Sequence, residues 1–154
     1  MTQTVNFLDQ LENSLYNCVR TYKSSSYYKA IIERVGTDID RPSMFILIIL
    51  DSQSLQFRDL VKKLGVEAPS VSRKVHELEA KGLVMRETTR DKRIHLLTLT
   101  DNGHKLTNKI KHAKREYLSR ILAAWTVEDQ EKLATLLVKL ADDFSKSINQ
   151  TKEE

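Results

Sequence analysis

Gly65, Pro69 and Gly82 partition the middle of this chain more tightly than any other residues in it. Before Gly65, the residues Phe57, Leu60, Val61 and Leu64 recur at helical spacing, and glycine tolerates the left-handed conformation that ends a helix. Pro69 then starts a new helix, because a first-turn residue needs no N–H. Val71, Val75 and Leu78 give that helix one inward face, and Gly82 closes it. A helix, a tight turn and a second helix result. Ser70, Ser72, Arg73, Lys74 and His76 are left off the apolar face.

The flanks are helical as well. Leu8, Leu11, Leu15, Cys18 and Tyr22 predict one long N-terminal helix with a bundle-like stripe, broken later by Gly36, Asp38 and Asp40. Pro42 begins a helix through Leu50 that is apolar almost all round and therefore belongs in the core. Thr100 can cap a fifth helix, with Asp101 at its positive end, and Thr126 with Asp129 a sixth. Leu133, Leu137, Leu140, Phe144 and Ile148 form the stripe of that last helix. Stripes on both terminal helices want a partner, which a second copy of the chain would supply.

Between Gly82 and Thr100 the period changes. Leu83 to Glu87 and Ile94 to Leu99 are β-compatible, and the stretch Thr88 to Arg93 between them is too long for a two-residue turn. This predicts a hairpin with Arg90, Asp91, Lys92 and Arg93 at its tip. The fold class is therefore mainly α with a small β-hairpin (α+β). Such a hairpin beside a helix-turn-helix can act as a wing: the second helix enters the major groove of DNA and the basic tip reaches an adjacent minor groove. The formal net charge of +4 permits that partner without requiring it.

The run "FRDLVKKLGVEAPSVSRKVHELEAKGLVMRETTRDKRIHLLTLTDNG", with "RPSMFILIIL" before it, resembles the MarR family of winged helix-turn-helix transcriptional regulators. The agreement lies in the LGV turn, the SVSRKVHELE helix, the GLV entry to the wing, DKR at its tip and LT-x-x-G after it. Outside that region it lies in helical layout. The resemblance implies a homodimer that represses transcription from a pseudo-palindromic operator and is released by a small phenolic or other aromatic ligand; a cytoplasmic location is expected by default, for want of a spanning or signal segment. It implies a winged region over about 52–100 and dimerisation helices over about 1–30 and 101–150, within the single chain 1–154. DNA contacts fall on Ala68, Pro69, Ser70, Ser72, Arg73 and His76 of the recognition helix and on Arg90, Asp91, Lys92 and Arg93 of the wing. Arg93 takes the place of the family's minor-groove arginine, and Asp91 that of the acid that orients the wing. Glu67 and Gln56 depart from the shorter capping residues usual at their positions.

Two other readings compete with a DNA-binding regulator. One is a winged helix that binds protein and has lost DNA; an acidic recognition helix or a neutral wing tip would mark it, and neither occurs. The other is a redox-sensing regulator using Cys18, since "LENSLYNC" resembles the start of a peroxide-sensing branch. There Tyr16 holds the reactive cysteine's place, and Cys18, two residues on, is turned by about 200° to another face, on the apolar stripe of a buried, inert thiol. One cysteine excludes an intrachain disulfide and a cysteine-based zinc site. His76, His95, His104 and His112 make a poor ligand set, so no metal or other cofactor is expected. No phosphate loop or nucleophile elbow suggests an enzyme. Met44 to Leu50, the longest apolar run, is far too short to span a membrane, and the polar N-terminus lacks a signal peptide's apolar region. Tyr22, Tyr27 and Tyr28, between the first helix and its loop, are candidates either for an effector pocket or for packing.

Overall fold

A computed structural model describes residues 2–90 and 93–150, and the chain divides into two compact units, Met1–Lys114 and Arg115–Glu154. The first unit contains α1 (Thr2–Tyr22), α2 (Ser25–Val35), α3 (Arg41–Ser52), α4 (Phe57–Leu64) and α5 (Ala68–Ala80). The hairpin β1 (Val84–Thr88) and β2 (His95–Leu99) follows, and then α6 (Asp101–Ile121) begins.

The core of this unit is built on α3. Met44, Ile46, Leu47 and Leu50 are buried, as the continuous apolar run requires, and α3 packs against α4, α5 and β2. Leu60 of α4, Val71, Val75 and Leu78 of α5, and Val84, Leu97 and Leu99 of the hairpin complete it, with Ile110 and Ala113 of α6. Each of the three inward residues on α5 is at most 2% exposed, so that helix has one fixed buried face and one free one.

The caps explain where the helices stop. Gly65 adopts φ +63° at the end of α4 and Gly82 φ +65° after α5, both in the left-handed region. Asp40 caps α3 by accepting from the Ser43 N–H at 2.9 Å, and Pro42 lies in the first turn. Gln56 and Glu67 make no side-chain cap bonds, in keeping with their departure from the usual capping residues.

The N-terminal segment differs from expectation. It forms two helices instead of one, because Ser24 adopts extended backbone and accepts from the Tyr27 N–H at 3.1 Å, starting α2. Tyr27 and Tyr28 consequently sit in a helix and not in a loop. The strands lie one residue beyond the expected starts of their runs, paired antiparallel with Val84 opposite Leu99 and Thr88 opposite His95. Leu55 adds an isolated bridge to the outer edge of β2, exchanging both backbone bonds with Leu97 at 3.1 and 2.7 Å.

The start of α6 is locked to the end of α5. The Thr100 hydroxyl donates to the Gly82 carbonyl at 2.6 Å and accepts from the Gly103 N–H at 3.0 Å, while the Thr100 N–H donates to the Leu83 carbonyl at 3.1 Å. A Cβ at Gly103 would lie 2.1 Å from that Leu83 oxygen, so only glycine permits the approach.

The second unit holds the end of α6 and α7 (Val127–Gln150). Thr126 and Asp129 cap α7 reciprocally: the Thr126 hydroxyl donates to the Asp129 carboxylate at 2.8 Å and accepts from the Asp129 N–H at 3.1 Å. Leu136, Leu137, Val138, Phe144 and Ile148 of α7 stand exposed. In the first unit, Phe7, Leu8, Leu11, Tyr16, Val19 and Tyr22 of α1 are exposed likewise.

Candidate nucleic-acid interface

The free face of α5 begins at its N-terminus, where Ala68, Pro69 and Ser70 are exposed. Helix geometry sets the following positions. Arg73 and His76 are exposed, Ser72 is half-buried, and these three with Pro69, Glu77 and Ala80 line one open groove of about 650 Å³. Four of the predicted contact residues are thus brought onto a single surface. Ser70 instead lines a second cavity, of about 490 Å³, together with Arg41, Phe45, Lys63 and Val66. Ala68 lines neither.

Four carboxylates, Glu77, Glu79, Asp38 and Asp40, organise the rest of α5. Glu79 accepts from His76 Nδ1 at 3.1 Å and from Arg86 Nε at 2.7 Å, so His76 is oriented and the helix is tied to β1. Lys74 does not project into solvent as its place off the apolar stripe suggested: its side chain is 16% exposed, and its ammonium lies 2.6 Å from both Asp40 and Glu77. Burial works to raise the Asp40 pKa, but hydrogen bonds from Lys74 and Ser43 prevail and hold it below the ordinary carboxylate value. Lys81 at the C-cap pairs with Asp38 at 2.7 Å. The pairings of Lys74 with Glu77 and of His76 with Glu79 are local to the helix, whereas those with Asp38 and Asp40 were not legible locally, because these aspartates are distant in sequence from the lysines they meet.

At the wing, the Thr89 N–H donates to the Ile94 carbonyl at 3.1 Å and closes the base of the loop. Arg90 and Arg93 are exposed on either side of the tip. Asp91 and Lys92, and with them the expected pairing of Asp91 with Arg93, lie outside the described residues.

The remaining candidates separate clearly. His104 is neither free in solvent nor turned to α5: its Nδ1 donates to Asp51 at 2.8 Å, and Lys111 also donates to Asp51. With its side chain 10% exposed, Asp51 has its pKa lowered by the Lys111 hydrogen bond first, against an opposing effect of burial, with His104 contributing further. Cys18 is exposed on α1, which corrects the expectation of a buried thiol; falling on an apolar stripe buries a residue only where another element covers the stripe. Tyr22 and Tyr27 stack with ring centroids 4.8 Å apart, and the Lys114 ammonium sits 5.9 Å from the Tyr22 ring. The Tyr28 hydroxyl donates to the Ile39 carbonyl, and burial, aided by the negative charge of Asp40, pushes its pKa up to about 12. None of the three tyrosines lines the cavity beside Ser70, whose aromatic wall is Phe45. Among the described residues no group of three His, Cys, Asp or Glu side chains could hold a metal ion, and no helix is long and apolar enough to cross a membrane.

Comparison with known proteins converges on one group. The sequence profile of the MarR family matches residues 37–94. A helix-turn-helix-type transcriptional regulator of Bacillus subtilis (strain 168), YdgJ, itself uncharacterized, is 28% identical over 111 residues, covering 71% of this chain and 68% of its own. Among solved structures, a MarR family protein from Bacillus stearothermophilus superposes with a TM-score of 0.74 at 19% identity, covering 94% of this chain and 98% of that one. Staphylococcus aureus MepR bound to ethidium bromide superposes with a TM-score of 0.58 at 22% identity, covering 80% and 99%.

Proposed function

We propose that this chain, which the MarR family profile matches over residues 37–94, is a transcriptional regulator of that family that binds a pseudo-palindromic operator as a homodimer and represses transcription there. The observation that carries this reading is the single exposed surface on which Pro69, Ser72, Arg73 and His76 converge at the start of α5, beside a hairpin whose tip exposes Arg90 and Arg93. Ala68, Pro69, Ser70, Ser72, Arg73 and His76 read the major groove and its phosphates. Arg90, Asp91, Lys92 and Arg93 form the wing contact, with Arg93 in the minor groove. The winged region is about 52–100, with dimerisation regions about 1–30 and 101–150. The exposed apolar faces of α1 and α7 support pairing with a second copy, because patches of this kind on a soluble chain are normally covered. A partner on the chromosome carries with it a cytoplasmic location.

The test is equilibrium binding to a duplex enriched by the protein from a random pool. Arg93→Ala should weaken that binding by about 1–3 kcal/mol and reduce its salt dependence, because a minor-groove guanidinium supplies both charge and shape recognition. Unchanged affinity and salt slope would make the wing a solvated loop.

A second reading, release by a small aromatic ligand, is favoured by the cavity of about 490 Å³ between α3, α4 and α5. Its walls include Phe45, Ile49, Val66 and Val71, and it also exposes Arg41 and Lys63, while Ser70 and Lys74 connect it to the recognition helix. Those cations favour an anionic ligand over a cationic one such as the ethidium held by MepR. Benzoate should lower duplex affinity in the wild type more than in Arg41→Ala. Equal effects on both would place any response elsewhere.

A further inference from the structure

Apolar contact alone leaves the recognition helix underdetermined. Val71, Val75 and Leu78 set how deeply α5 is seated, but the hydrophobic effect is not directional, and a helix held only by such a stripe can rotate or slide slightly. Reading base edges tolerates little of either. Besides the pair between Glu79 and Arg86 of β1, directional contacts on the flank of α5 come from one short segment, residues 37–40, which joins α2 to α3.

That segment grips α5 at two levels. Asp40 meets Lys74 in the second turn at 2.6 Å, and Asp38 meets Lys81 at the C-cap at 2.7 Å. Between them Ile39 is 4% exposed, and its carbonyl is held by the Tyr28 hydroxyl. Asp40 is itself fixed, since the same carboxylate caps α3 through Ser43. The space enclosed by Asp38, Asp40, Ser43, Glu77 and Lys81 is only about 90 Å³, the size of a seam and not of a ligand pocket. Lys74 therefore faces two carboxylates and carries little surplus positive charge toward a phosphate.

Resting on the reading of α5 as the recognition helix, we propose that Lys74 and Lys81 are positioning residues. Their ion pairs with Asp40 and Asp38 set the rotation and register of α5 on the core, and so set sequence discrimination without contacting DNA. Charged hydrogen bonds suit this role because their geometry is narrow where apolar packing is permissive.

The experiment measures binding by fluorescence anisotropy at several salt concentrations. One duplex is that enriched by the wild-type protein; the other has a random sequence. Lys74→Met and Asp40→Asn should each lower affinity for the enriched duplex by about tenfold, the size of one misplaced base contact. Affinity for the random duplex, and its salt slope, should not change. Asparagine caps a helix as well as aspartate does, so Asp40→Asn removes the ion pair while leaving α3 capped. The double variant should be no worse than either single one, since both remove the same contact. If Lys74 instead contacts phosphate, Lys74→Met weakens both duplexes and lowers the salt slope by about one, while Asp40→Asn, which removes a negative charge, leaves binding unchanged or tighter. That pattern, or additive losses in the double variant, overturns the proposal. Should Lys74→Met fail to fold, Lys81→Met and Asp38→Asn at the more exposed pair give the same readout, with a smaller loss of discrimination expected and none overturning it. A wild-type protein that enriches no duplex overturns the reading of α5 itself, and the proposal with it.

Discussion

Replacing Gly103 by alanine sets two effects of opposite sign against each other. Alanine is the better helix former by about 1 kcal/mol in a helix interior, and by less in the first turn where Gly103 lies. Against this, the new Cβ would sit 2.1 Å from the Leu83 carbonyl oxygen, 3.1 Å from its carbon and 3.2 Å from Leu99 Cβ. The obstacle is backbone, and close-packed interiors yield little, so α6 or Leu83 must retreat by about 0.9 Å to restore a tolerable contact. Overpacking of this kind costs about 1–3 kcal/mol. The retreat also weakens the bond from the Thr100 N–H to the Leu83 carbonyl, a further loss of about 1 kcal/mol. Steric and hydrogen-bonding losses therefore exceed the propensity gain, and Gly103→Ala should destabilise the protein by about 2 kcal/mol, or about 4–8 °C in melting temperature. Urea unfolding followed by circular dichroism, at one protein concentration because an assembled chain's stability depends on it, measures the difference. A variant as stable as the wild type, or more stable, would show that helix propensity governs this position and that the close approach carries no constraint.

Two further predictions concern protons. The Tyr28 pKa is raised in the folded state from 10.0 to about 12, so its contribution to stability is complete below pH 10 and is lost as pH rises through about 12. Tyr28→Phe should remove this alkaline loss, and ultraviolet titration should lose its latest tyrosine; an identical titration curve would refute the burial argument. Asp51 has its pKa lowered in the folded state, so its contribution is present above 3.8 and is lost as pH falls through the depressed value. Asp51→Asn should therefore lower the urea midpoint at neutral pH, with the gap to wild type closing in acid, and equal midpoints at pH 7 would refute the pairing with Lys111 and His104.

Local chemistry announced much of the fold. Gly65, Pro69 and Gly82 bounded the helix-turn-helix because each imposes a backbone conformation by itself, and Thr100 and Thr126 cap their helices through residues three positions away. The break at Ser24 carries no glycine or proline, the first such residue being Gly36, although the serines that follow Lys23 were a capping signal. The bridge at Leu55 involves one residue and so has no period to detect. At the candidate interface, the residues of α5 were identifiable by their offset from Val71, Val75 and Leu78. The carboxylates that reach α5 from outside it were not, because Asp38 and Asp40 meet their lysines only after folding, as Asp51 meets His104 and Lys111 of α6. Cys18 shows the complementary error: an apolar pattern specifies a face and leaves open what covers it.

The bridge between Leu55 and Leu97 also makes β2 the middle of the small sheet and leaves β1 as its open edge among the described residues. An unpaired edge is a template on which a foreign strand can add. Here the template is five residues long and carries exposed charges on both of its faces, Arg86 on one and Glu87 on the other. A strand docking against it would have to strip water from both charges for very few backbone bonds. The hairpin can therefore project from the body of the protein, as a wing must, without becoming a seed for aggregation.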